Sequence, residues 1–226
     1  MTAGSTILLE DGLVYCPENR LGGPLGAEHN DTLRGQLEIR RISEALVGQS
    51  GPAPRAILMA GLQGAGKTTL ARALEGAGLQ RVSPDEEMFR RYGHYGRDFP
   101  RGEFLVREAP VLKDIAQEVQ RLLATGHEVV VDHGFWTLEE RALWATLVAE
   151  AGGEPVLIYL PAPHQVRWGR IQERNERSLV DANSIEFSEE DLLRHANRFE
   201  APAPDEAHIV YDGQPESVLT ALGLSR

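Results

Sequence analysis

Cysteine is nearly absent from this chain, long apolar runs are missing, and basic residues are outnumbered. Cys16 is the single cysteine in 226 residues, which excludes an internal disulfide framework and a cysteine-rich zinc site. No stretch approaches the ~20 apolar residues that span a bilayer, and no basic segment leads into an apolar run at the N-terminus. A reducing cytoplasm is the expected location. Lys and Arg number 23 against 34 Asp and Glu, a net charge of −11. Such a surface repels polyanions, so there is no general footprint for duplex nucleic acid or an anionic membrane, only room for a local basic cleft. Internal repeats and low-complexity tracts are also lacking. With 42% hydrophobic and 25% charged residues, what remains is an ordinary globular chain, long enough for one full domain and a modest extension.

Residues 1–54 read as that extension. Asp11-Gly12 sits between two apolar runs and predicts a hairpin turn. Leu33, Leu37, Ile39, Ile42, Leu46 and Val47 recur at helical spacing until "GQSGPAP" (48–54) breaks the pattern. A homodimer through this extension is one expectation. From residue 55 to 226, short apolar runs alternate with longer amphipathic ones, the signature of a parallel sheet with crossover helices. Strands are predicted over 56–60, 79–83, 128–132, 155–160 and 207–212. Helices are predicted over 67–77, 84–92, 103–125, 137–151, 163–176, 188–199 and 215–222, with a kink or late start in the third because of Pro110. The fold class is α/β: three layers with a central parallel sheet of about five strands.

"GLQGAGKT" (61–68) matches GxxxxGK[ST] in full, directly after an apolar strand and at the start of a helix. Across Gly61, Gln63, Gly64, Ala65 and Gly66 the backbone N–H groups can converge on phosphate oxygens, and the helix N-terminus adds partial positive charge. Lys67 supplies a full charge for the outer phosphates, the Thr68 hydroxyl is placed for Mg²⁺, and Thr69 is a further candidate. ATP and Mg²⁺ are the expected cofactors. Asp132 closes the strand "EVVVD", so its carboxylate should emerge at the sheet edge where ligands collect; it would hold Mg²⁺ through water, or else cap the next helix. Phe135 and Trp136 wall a small pocket or join the core, and His133 reads as a satisfied polar residue.

"RVSPDEEMFRR" (81–91) carries two readings. Ser83, Pro84 and Glu86 form a helix start with an S-x-x-E capping box, in which Asp85 merely profits from the helix dipole. If the preceding strand is parallel to the one before the phosphate loop, however, Asp85 reaches the same crevice as the terminal phosphate and could take a proton from an attacking hydroxyl. "GLQGAGKTTLA", "RVSPDE", "VVVDHGFWTLEER" and "RIQERN", in that order, resemble the small P-loop kinases related to phage polynucleotide kinase, zeta toxin and chloramphenicol phosphotransferase, over about residues 55–212. The resemblance is nearest to bacterial kinases of the AAA-type ATP-binding group, with a nucleoside-kinase-like fold. It implies Asp85 as the base toward the acceptor hydroxyl and places the lid arginines at Arg170 and Arg174, within a lid around 163–187. Polynucleotide kinases carry an arginine three residues after the base, where this chain has Met88; that counts against a nucleic-acid acceptor, although Arg90 and Arg91 are close enough to substitute.

Arg167, Arg170 and Arg174 share one helix face, which can close over triphosphate or be solvated and paired with Glu173 and Glu176. "SLVDANSIEF" (178–187) reads as a mobile segment beside the acceptor. "RRYGHYGRDFPR" (90–101) interleaves arginines with Tyr92, Tyr95 and Phe99, the makings of a pocket wall for a small polar molecule such as a nucleoside or an antibiotic. The expected activity is transfer of the γ-phosphate of ATP to a hydroxyl of a small molecule, conceivably as antibiotic resistance. Alternatives are a polynucleotide 5′-hydroxyl kinase and an ATP-dependent switch that phosphorylates no acceptor.

Overall fold

The computed structural model describes residues 51–176 and 185–224. The hairpin and helix expected in the N-terminal extension, any dimer contact there, and most of the 178–187 segment lie outside the described residues.

Five parallel strands form the centre: β1 (Arg55–Ala60), β2 (Gln80–Val82), β3 (Val129–Val131), β4 (Glu154–Tyr159) and β5 (Ile209–Val210), in the spatial order β2-β3-β1-β4-β5. Helices alternate with them: α1 (Lys67–Gly76), α2 (Pro84–Tyr92), α3 (Phe104–Ala124), α4 (Leu138–Glu150), α5 (His164–Glu176), α6 (Glu189–Ala196) and α7 (Pro215–Ala221). Every expected strand and helix of the 55–226 region is present, shifted by a few residues at its ends. Pro110 does not divide α3; a 3-10 turn at Arg101–Glu103 precedes it and the helix starts at Phe104. The late start expected from Pro110 is therefore not found: the residue lies inside the helix, on its exposed side.

β1 is buried on both faces, as a central parallel strand must be. Ala56 and Leu58 pack with Val129 and Val131 against α3 and α4, around Val111, Trp144 and Val148. Ile57 and Met59 pack with Val130 and Ile158 against α1 and α7, around Leu70, Leu74 and Val218. Period-two alternation along β1 therefore feeds two separate cores, and the sheet becomes the middle of three layers. Among the described residues no helix is long and apolar enough to cross a membrane.

The topology decides where chemistry can occur. β1 is flanked by β3 on one side and β4 on the other, so the chain diverges at its C-terminal end and leaves a crevice there. Because all strands are parallel, the segments after β1, β2 and β3 emerge at that same edge.

Candidate active site

The loop between β1 and α1 turns through two left-handed glycines. Gly66 is the N-cap of α1 at φ 107°, with no side-chain cap, so the first N–H groups of the helix are left to a ligand rather than to the protein. Gly64, at φ 76°, lies against α5: a Cβ there would meet the Arg167 carbonyl oxygen at 2.7 Å. Lys67 folds back over the loop and donates to the Gly61 and Leu62 carbonyls at 2.9 and 3.1 Å. Burial lowers its ammonium pKa to about 8, against the opposing pull of Asp132 and Asp85. Gln63 Oε1 is buried with no hydrogen-bond partner. Gly61 and Ala65 are buried, and Thr69 is exposed at the start of α1. Open helix N–H groups and a retracted lysine form a cradle that fits a chain of phosphates.

The Thr68 hydroxyl donates to Asp132 Oδ1 at 3.2 Å. Asp132 is 5% exposed and does not cap the following helix: α4 begins at Leu138, capped by Thr137. Its other oxygen is taken by Arg81 of β2, whose Nε and Nη2 reach Oδ2 at 3.0 and 2.6 Å. Arg81 also binds Glu86 at 2.7 Å. That corrects the capping box: Ser83 does accept from the Glu86 N–H at 3.3 Å, but the Glu86 carboxylate turns to Arg81, because a buried guanidinium is a stronger partner than a backbone N–H.

Asp85 stands in the first turn of α2, at the end of β2. Burial pushes its carboxyl pKa up and Asp132 adds to the rise, while His133, Lys67 and Arg174 oppose it. Lys67, Asp85 and Asp132 follow the parallel strands β1, β2 and β3 and so stand at the same edge of the sheet. Asp85 remains partly accessible and lines a narrow cleft with Met88, Phe89, Tyr95, Phe99 and Phe104.

The arginines of α5 do different things. Arg170 reaches the phosphate loop and donates to the Gly64 and Ala65 carbonyls at 2.9 and 3.4 Å. Arg174 influences both Lys67 and Asp85, and binds the Ile185 carbonyl at 2.9 Å. Arg167 is not solvated: it is 5% exposed, and its Nε donates to the Ala162 carbonyl at 3.1 Å.

Several residues expected around the acceptor are engaged elsewhere. Arg90 is held by Glu87 at 2.6 Å and is largely exposed, while Arg91 bridges Glu87 and Asp114 at 2.6 and 2.7 Å. Both charges are neutralised on α2 and α3. Phe135 is fully buried between His133 and Trp144, and thus core rather than pocket wall. Tyr92 packs edge-on to Phe99 beneath Arg107. Trp136 lies against His195, and its indole stands 2.8 Å from where a Cβ on Gly134 would sit.

His133, read from sequence as a satisfied polar residue, and Glu108 and Arg81, which sequence patterns did not single out, complete the site. His133 lies 3.6 Å from Glu140; burial alone would lower its pKa, but Glu140, Glu108 and Asp85 outweigh burial and raise it. Glu108 is 6% exposed, and burial lifts its carboxyl to about 7, with Asp85 and Glu140 adding to the effect of burial and His133 opposing it. A signal for Glu108 did exist: it falls in the apolar stripe of α3, one turn after Phe104 and one turn before Val111 and Leu112. Arg81 had no such signal, since its partner Asp132 lies 51 residues away.

Solved structures share this architecture. A Chloroflexus aurantiacus protein assigned as a kinase superposes with a TM-score of 0.61 at 19% identity, over 77% of this chain and 100% of that one. Kti12 from Chaetomium thermophilum, held with ADP-AlF3, gives 0.56 at 16% identity over 76% and 100%. At those identities the likeness establishes a P-loop kinase-like fold. In sequence, shikimate kinase from Thermosynechococcus vestitus is 26% identical over 168 residues, 74% of this chain and 86% of that protein. The model of a family described as AAA domain matches residues 57–202, from β1 through the segment after α6. That span is well over half of the sequence and holds the phosphate loop, Asp85, Asp132 and the α5 arginines, and by it the chain belongs to the AAA domain family.

Proposed function

We propose that this protein is an ATP-dependent phosphotransferase that moves the γ-phosphoryl group to a hydroxyl of a small molecule, with Asp85 as general base. The observation that carries the reading is the placement of Asp85: a partly accessible carboxylate at the end of β2, under the electrostatic influence of Lys67 and Arg174, and opening on a cleft with apolar walls.

In this reading the acceptor oxygen forms a bond to γ-phosphorus as the bond from phosphorus to the bridging β,γ-oxygen breaks. The hydroxyl proton passes to Asp85, and the electron pair of the broken bond leaves with ADP. Lys67 exchanges its two loop carbonyls for phosphate oxygens, while Arg170 and Arg174 meet charge developing on the transferring group. Thr68 and Asp132 are the residues that would hold Mg²⁺, the hydroxyl directly and the carboxylate through water. The ion, when bound, neutralises charge between the β- and γ-phosphates. Two protein oxygens suit a metal that keeps waters and phosphate among its ligands. Arg81 fixes Asp132 in that position.

The likeness to shikimate kinase supports a small-molecule acceptor, and the ADP-AlF3 bound to Kti12 supports an adenine nucleotide. Membership of the polynucleotide kinase, zeta toxin and chloramphenicol phosphotransferase group, and a resistance role, belong to this proposal. A polynucleotide acceptor is the weaker alternative, because Arg90 and Arg91 are already paired. The test is Asp85→Asn: ADP affinity should stay within about threefold, while phosphate transfer falls by about 10²–10⁴, the usual worth of a general base. If the variant transfers phosphate at the wild-type rate, Asp85 is not the base. Retained partner binding with no transfer by either protein would favour the switch.

A further inference from the structure

Glu108 is the one charged group at the acceptor end with nothing to do. Glu108 is only 6% exposed, yet among the described residues no hydrogen bond or ion pair reaches it. Its neighbours are already engaged. Both oxygens of Glu140 are used, one by the Trp136 N–H at 2.8 Å and the other facing His133. Arg107, next in sequence, donates to Glu103 at 2.6 Å and lies over the Tyr92 and Phe99 rings. Glu108 lies on the inward stripe of α3, with Val111, Leu112 and Ile115 following it on that face. Phe104, one turn earlier on the same face of α3, lines the cleft that begins at Asp85. An apolar side chain would fill this position in the stripe at lower cost, since an unpartnered buried carboxyl is penalised. A ligand that supplies the missing partner removes the penalty.

Resting on the kinase reading above, we propose that Glu108 is the acceptor-binding carboxylate and that the acceptor is a small amino alcohol, its ammonium group paired with Glu108 while its hydroxyl is presented to Asp85. Arg90 and Arg91, the cations of α2 that could have welcomed an acid, are paired with Glu87 and Asp114. Tyr95, Phe99 and Phe104 form a cluster of rings, with Tyr95 5.7 Å from Phe99 and 4.9 Å from Phe104 between centroids, a wall that suits an apolar skeleton.

The experiment uses full-length protein, ATP, Mg²⁺ and matched acceptor triples that differ in one charge: 2-amino-1-phenylethanol, 1-phenyl-1,2-ethanediol and mandelate, then glucosamine, glucose and gluconate. Labelled phosphate transfer is measured for wild type and Glu108→Gln, together with ADP affinity. The amine of a triple should have the lowest KM, about 10- to 100-fold below the neutral member, the range of a charge-assisted hydrogen bond. Glu108→Gln should abolish that preference by raising the amine KM, with ADP affinity kept. Transfer to neutral or acidic members at equal or lower KM overturns the amine assignment and leaves the kinase intact. A Glu108→Gln protein that weakens all three classes and ADP alike makes Glu108 structural and also overturns it. If no triple accepts phosphate from either protein, the kinase reading falls, and this inference with it.

Discussion

Glu108→Gln should stabilise the protein at pH 8 relative to its effect at pH 4.5. In the folded chain the Glu108 carboxyl titrates at about 7, raised from 4.5 by burial first and then by Asp85 and Glu140. Below pH 4.5 it is protonated in both folded and unfolded states. Between 4.5 and 7 the folded state holds the proton and the unfolded state does not, so stability falls as pH rises through that window. At about 1.4 kcal/mol per pH unit the loss comes to about 3 kcal/mol, complete above pH 7. Glutamine carries no such proton. Its amide costs about 1 kcal/mol for an imperfectly bonded group in the same place, at every pH. The difference between variant and wild type should therefore move by about 3 kcal/mol, from slightly unfavourable at pH 4.5 to about 2 kcal/mol favourable at pH 8. For a chain of this size that is a swing of about 6–12 °C in the Tm difference. Thermal unfolding of both proteins by circular dichroism at pH 4.5, 6 and 8 measures it. His133, Asp85 and Glu140 titrate in both proteins and largely cancel. A Tm difference that stays flat across the three pH values would refute the buried, uncompensated carboxylate and remove the physical basis for an acceptor partner.

Arg81→Ala leaves Asp132 buried without its cation and should cost about 3–5 kcal/mol, because the two side chains are only 7% and 4% exposed; urea unfolding reads it directly. Gly134→Ala should weaken ADP binding more than it destabilises the fold, since the added carbon would meet Trp136 Nε1 at 2.8 Å, the Gly61 carbonyl at 3.1 Å and Lys67 Cε at 3.1 Å. Fluorescence titration beside a melting curve separates the two effects. With Lys67 at about 8 in the nucleotide-free protein, binding ADP above that pH requires proton uptake, so Kd should rise by up to about tenfold per pH unit from pH 8 toward 10. A Kd flat over that range would show that the lysine is not desolvated. Because burial raises the Asp85 carboxyl, with Asp132 adding, the acidic limb of kcat/KM for transfer should lie above the ordinary carboxylate range and vanish in the residual activity of Asp85→Asn.

The parts of this protein that were legible in its sequence are those governed by neighbours along the chain. Apolar runs and helical spacing located all five strands and seven α-helices of the described residues, and the spacing of glycines before Lys67 marked the phosphate loop, because backbone conformation and one-sided burial follow from a few consecutive residues. Parallel strands with emergent loops placed Asp85 and Asp132 at one edge before any coordinates did. The tertiary structure alone decided which charges meet. Arg81 finds Asp132 across β2 and β3, Arg90 and Arg91 are claimed by Glu87 and Asp114, Arg167 sinks beneath the phosphate loop, and Phe135 turns into the core. A side chain carries no mark of its distant partner. Whether Glu108 is a surface charge or an unmet one in an apolar stripe depends on α3 packing beside α2 and the end of β3, and burial in that packing, not residue type, sets the energy of a charge.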